Sequence, residues 1–140
     1  MTLVQGDRRN RTSTHPAHPD PLLRGRTYAI PFDTVWTAAL RLAGGGLPRW
    51  NVIRADDGPG VIQAEVRPRL WGENGDALVR VGLDADAQTR VDLVSSSRGN
   101  RNDLGASRRR AIRFFKALDR ALAAGRQEAR LPLAGAHARG

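Results

Sequence analysis

At 140 residues, with 40% hydrophobic and 26% charged side chains, the chain has a one-domain length and enough apolar content to fold, which excludes wholesale disorder. The absence of cysteine excludes disulfides, thiol nucleophiles and cysteine-held metals. The formal charge of +9 is unevenly spread: residues 27–97 hold seven arginines against nine acids, whereas 98–126 hold nine cations against two acids. Lys116 is the only lysine, so nearly all the positive charge is arginine. The apolar runs are far too short to span a bilayer, and MTLVQGDRRNR lacks the apolar stretch of a signal peptide, so the expectation is a soluble, cytoplasmic protein with no transmembrane segment.

Residues 1–22 mix Asp, Arg, Asn, Thr, His and Pro without an apolar period and read as a flexible N-terminal arm. His15 and His18 lie there at a spacing that suits a metal pair, but no third ligand converges on them, so no metal is expected. Arg26 to Ile30 is a short strand. Pro31 opens a helix with Asp33 in its first turn, where the macrodipole favours an anion. Its apolar stripe is Phe32, Val35, Trp36, Ala39, Leu40 and Ala43, and Gly44-Gly45-Gly46 ends it.

Trp50 to Ala55 is strand-like and is followed by the turn signal DDGPG at 56–60. Val61 to Arg67 alternates, with Ile62, Ala64 and Val66 on one face, the pattern of a half-buried antiparallel strand. A loop through 72–76 leads to Ala77–Leu83, with Val79, Val81 and Leu83 sharing a face. Arg90 to Ser96 follows, with Val91, Leu93 and Ser95 on one face. A long helix is expected from near Asp103 to Gly125, with Ala111, Phe114, Phe115, Leu118, Ala121 and Leu122 on one side. Residues 126–140 read as a tail.

The order β-α-β-β-β-β-α, with short connections between the later strands, predicts one α+β domain over residues 23–125. It is a two-layer sandwich of the helix-grip kind: a curled antiparallel sheet of about five strands with both helices on one face.

Two segments carry a resemblance. YAIPFDTVWTAAL followed by WNVIRADDGPGVIQAEV resembles the opening of small START-like helix-grip domains. HPDPLLRGRTYAIP, DALVRV and SSSRGNRNDLGASRRR together resemble bacterial domain-of-unknown-function family 1499. Ser95, Ser97, Arg98, Asp103, Leu104 and Gly105 match that family's Ser-x-Ser-Arg-x-Gly-x-x-Asp-Leu-Gly segment. Gly99 stands one place early, Ser107 replaces the usual Asn, Ile112 stands one place late after Arg108-Arg109-Arg110, and the upstream cysteine motif of many members is missing. The resemblance covers roughly residues 18–122 and implies a fold and a family, with no established activity.

Two groups of residues are candidates for a site. The first is an anion pocket formed by Ser97, Arg98, Arg101, Asp103 and Gly105 at the start of the last helix, where free N–H groups and the dipole attract phosphate or carboxylate. The simpler alternative is that Arg98 or Arg101 pairs with Asp103, Asp92 or a strand carbonyl and only fixes the turn. The second is the basic stripe Arg109, Arg113, Lys116 and Arg120, able to meet nucleic acid or an anionic surface in a salt-dependent way. Its simpler alternative is a solvated helix face.

Catalysis has little support. His137 lies in the tail, the predicted core has neither His nor Cys, and Asp56-Asp57 and Asp84/Asp86 fall at turns that favour Asp for backbone reasons. No nucleophile elbow, phosphate loop or metal-ligand cluster is present. A groove lined by Trp50, Trp71 and Phe32 is conceivable, though these residues serve equally as core. The expectation is therefore a non-enzymatic binding domain without cofactor or metal, taking a small anionic ligand or a protein partner. The alternative is a basic nucleic-acid or anionic-surface binder working through the last helix.

Overall fold

The computed structural model describes residues 11–70, 72, 74–98 and 104–139, with side chains described from 105 to 125 in the last stretch. The strands are β1 (Arg11–Ser13), β2 (Arg26–Tyr28), β3 (Trp50–Asp56), β4 (Val61–Val66), β5 (Gly75–Leu83) and β6 (Thr89–Ser97). The helices are α1 (Phe32–Arg41) and α2 (Leu104–Arg139). β3 through β6 form an antiparallel meander, giving the sheet order β1-β6-β5-β4-β3. The expected α+β architecture, a curled antiparallel sheet with two helices, is present.

The alternation in β4, β5 and β6 has a direct physical cause. Ile62, Ala64, Val66, Ala77, Val79, Val81, Thr89, Val91, Leu93, Ser95 and Ser97 all face the helices and are buried. Their neighbours face solvent, as in an antiparallel sheet covered on one side. α1 packs over β5, and α2 packs over β6 and β1. From α1 the core takes Val35, Trp36, Ala38 and Ala39. From α2 it takes Ala111, Phe114, Phe115, Leu118 and Leu122. Leu83 shares the face of Val79 and Val81, as its pairing with the buried Thr89 shows, but at the hairpin end of the ladder it is 63% exposed.

The N-terminal segment, read from sequence as an arm to residue 22, enters the sheet at Arg11. β1 pairs with Arg11 opposite Ser96, and β2 pairs further along the same edge with Arg26 opposite Val91. Both run antiparallel to β6, so together they form one edge strand interrupted by an excursion. Thr14 N donates to Leu93 O, the chain then leaves the ladder, and a short 3-10 turn at Pro21–Leu23 buries Leu23 in the core. A three-residue edge strand whose inward side chain is Thr12 has no apolar alternation to betray it. Residues 1–10 lie outside the described residues.

Two other boundaries differ from expectation. β5 starts at Gly75, two residues before Ala77, because Gly75 still pairs with both Val66 and Ser97. α2 continues through Gly125 to Arg139. One glycine costs about 1 kcal/mol relative to alanine in a helix, too little to stop a segment as rich in good helix formers as Ala121-Leu122-Ala123-Ala124. No helix among the described residues is long and apolar enough to cross a membrane.

Candidate functional site

The pairing of β3 with β4 places Trp50 opposite Val66, and Arg67 N donates to Arg49 O at 2.9 Å just beyond the ladder. Two arginines from distant parts of the chain therefore sit side by side at one end of the sheet. Trp50 is only 6% exposed because its ring stacks on Phe114 of α2, with centroids 5.5 Å apart. That aromatic contact draws the N-terminal half of α2 against the same end of the sheet.

On α2, the positions facing this junction are Ala106, Arg109, Arg110 and Arg113, the i, i+3, i+4, i+7 spacing of one helix face. The buried stripe runs beside it through Ser107, Ala111, Phe114 and Leu118. Between sheet and helix lies an open cleft of about 560 Å³. Seven arginines line it, namely Arg49, Arg67, Arg69, Arg98, Arg109, Arg110 and Arg113, together with Trp50, Val66, Pro68 and Leu70. Its described lining includes no aspartate or glutamate.

Two arginines are held from behind. Arg98 donates through Nε and one terminal nitrogen to the two oxygens of Asp76, at 2.9 and 2.6 Å, and its other terminal nitrogen lies 2.8 Å from Glu65 Oε2. The bidentate bond to Asp76, reinforced by Glu65, raises the Arg98 pKa further above its already high ordinary value. Arg110 donates to Ser95 Oγ at 2.9 Å and to the Ser96 carbonyl at 3.2 Å, and its guanidinium lies against the Gly75 backbone, where a Cβ would come within 2.5 Å of it. A side chain at position 75 would therefore displace the Arg110 guanidinium from this seat.

The other five differ. No carboxylate among the described residues pairs with Arg49, Arg67, Arg69, Arg109 or Arg113. Arg49 goes further: its Nε is buried without a hydrogen-bond partner, and its backbone adopts the left-handed region at φ 71°. A buried, unsatisfied cationic donor is costly, and non-glycine residues in that backbone region store strain that a fold retains mainly at functional positions.

The residues expected to form the anion pocket are thus partly redistributed. Ser97 is 5% exposed and turns inward, with its Oγ 3.5 Å from Ser107 Oγ beneath the helix, away from the cleft. Arg98 lines the cleft but is tied to Asp76 and Glu65, neither of which was among its expected partners. Asp92 instead bonds Arg90 and Thr14. Gly105 is exposed near the start of α2. Arg101 and Asp103 lie outside the described residues, as does Trp71.

The basic stripe divides. Arg109 and Arg113 enter the cleft, whereas Lys116 and Arg120 are exposed but line no part of it, Arg120 lying about 10 Å further along the helix axis than Arg113. Arg49, Arg67, Arg69 and Arg110 were not singled out by sequence reasoning. The usable signal was the Arg67-Pro68-Arg69 break at the end of a strand, and Arg110 fell beside the stripe rather than on it.

The remaining titratable candidates serve the backbone. His15 Nδ1 accepts from Ala17 N and His18 Nδ1 from Asp20 N, so both build the excursion between β1 and β2. Asp56 accepts from Gly58 N, and Asp84 accepts from both Asp86 N and Gln88 N, which are turn contacts. The described residues contain no group of three or more potential metal ligands.

Asp119 of α2 holds the edge strand, accepting from Tyr28 Oη at 2.7 Å and from Arg26 Nε at 3.0 Å. Burial, and then the bond to Asp119, push the Tyr28 hydroxyl well above its ordinary pKa.

No curated protein and no solved structure matches the chain. The family model described as a protein of unknown function, DUF1499, matches residues 6–118, which take in the sheet, α1, the Ser95–Gly105 segment and the cleft-facing part of α2; the chain belongs to that family.

Proposed function

We propose that the protein is a non-enzymatic binding domain that takes a small multivalent anion in the arginine-lined cleft. The observation that carries this reading is the cleft's lining of seven arginines with no described carboxylate; five of the seven have no carboxylate partner among the described residues. An oxyanion in the cleft would meet Arg49 from the sheet side and Arg109 and Arg113 from the helix side. The start of α2 adds to the field, since Ala106 lines the cleft and the helix has no acidic residue in its first turn. Arginine keeps its charge throughout the working pH range, so these groups favour holding an anion over exchanging protons with a substrate.

Tripolyphosphate, titrated calorimetrically at low and moderate salt, is a suitable probe. Arg49→Gln is expected to weaken binding by about 10- to 100-fold, the loss that accompanies removal of a charge-assisted hydrogen bond. Arg109→Glu/Arg113→Glu should abolish it, while Arg120→Gln, outside the cleft, should leave it unchanged. Titrations of Arg49→Gln and Arg109→Glu/Arg113→Glu that match the wild type would refute the reading.

A further inference from the structure

The cleft is not uniformly polar. Its rim carries Leu70, 78% exposed and the most exposed large apolar side chain among the described residues, flanked by the exposed Arg69 and half-exposed Pro68. A soluble polyanion gains nothing from a leucine at the mouth of its site. An apolar tip beside arginines that have no carboxylate partner among the described residues instead matches the layering of a membrane surface, where acyl chains lie just beneath anionic headgroups.

We infer that the cleft and its Leu70 rim dock the protein onto a bilayer containing anionic phospholipids. The inference rests on the proposed anion site and names where its anion comes from. Headgroup phosphates enter between Arg49, Arg67, Arg109 and Arg113, while Leu70 crosses into the interface. The long stems of Arg67 and Arg69 can lie along that boundary with their guanidinium groups at headgroup level. Single-stranded nucleic acid fits the same surface less well. Single strands bind largely by stacking bases on exposed aromatic rings, and Trp50, the described aromatic residue of the lining, is buried and already stacked on Phe114.

The test is sedimentation of the full chain with phosphatidylcholine vesicles and with vesicles that also contain phosphatidylglycerol, in parallel with tripolyphosphate titration. Binding is expected only to the anionic vesicles and should weaken as salt rises. Leu70→Ser is expected to reduce vesicle partitioning by about tenfold, as loss of a buried leucine side chain implies, while leaving tripolyphosphate affinity unchanged. Leu70 makes its contribution outside the core, so the variant should fold normally. Tripolyphosphate binding without vesicle binding, or vesicle binding indifferent to Leu70→Ser, overturns the inference and leaves the anion site standing. Tighter binding to single-stranded DNA than to the vesicles also overturns it. If the wild type binds neither tripolyphosphate nor vesicles, the anion site falls as well.

Discussion

Replacing Gly75 by alanine probes how the sheet holds Arg110 in the cleft. The new Cβ would stand 2.5 Å from Cζ and from one terminal nitrogen of the Arg110 guanidinium, so the flexible side chain must move rather than the strand. Moving it breaks the bonds to Ser95 Oγ at 2.9 Å and to the Ser96 carbonyl at 3.2 Å, and Ser95 is fully buried. Hydrogen bonds to a charged group contribute about 1.5–3 kcal/mol each, and the longer of these two counts at the low end or below, so their loss together costs about 3 kcal/mol.

Alanine in a strand interior recovers roughly 0.5–1 kcal/mol relative to glycine, leaving a net destabilisation of about 2 kcal/mol. For a domain of this size that corresponds to a fall in Tm of about 8 °C. The assay is thermal and urea denaturation of four proteins: wild type, Gly75→Ala, Arg110→Ala and the double variant. Because both changes remove the same contacts, the double variant should be no less stable than Arg110→Ala, and more stable by the roughly 0.5–1 kcal/mol that alanine recovers, with a coupling energy of about 3 kcal/mol. Strictly additive losses, or a Gly75→Ala protein as stable as the wild type, would show that Arg110 is not held by this arrangement.

Two further outcomes are expected. Tyr28, the only tyrosine, keeps its proton in the folded state above the pH near 10 at which the unfolded chain releases it. Its contribution to stability is therefore complete below pH 10 and declines as pH rises, by at most about 1.4 kcal/mol per pH unit and less where solvent screens the half-buried ring. Urea denaturation at pH 9, 10 and 11 (chosen as roughly bracketing that value) should show the decline in the wild type and a flatter profile in Tyr28→Phe, and an identical decline in both would exclude Tyr28 as its source. Asp76→Asn removes the bidentate partner of Arg98 while Glu65 remains 2.8 Å away. This exposed pair contributes little to folding, so Tm should barely change, whereas tripolyphosphate should bind a few-fold tighter at low salt as Arg98 becomes available to the cleft. Unchanged or weaker binding would place Arg98 outside the binding surface.

The alternating strands and the two amphipathic helices were legible because each signal is local. In β4, Ile62, Ala64 and Val66 alternate with polar residues since one face of the sheet meets the helices and the other meets water. In α2, Phe114, Phe115 and Leu118 declare the buried side of the helix by spacing alone, and the exposure of Arg109, Arg113, Lys116 and Arg120 follows from the same period. β1 escaped notice because a three-residue edge strand needs only pairing with β6, which composition does not record.

The cleft lay beyond sequence reading for a different reason. Its arginines come from the start of β3, the end of β4, the loop after it, the end of β6 and one face of α2. Only the β3–β4 register and the stacking of Trp50 on Phe114 bring them to one place. Which arginines would be neutralised was likewise undetermined, because Asp76 and Glu65 reach Arg98 across neighbouring strands. Local periodicity determined the elements and the faces they bury. Long-range pairing, a property of no single segment, decided where the arginines collect.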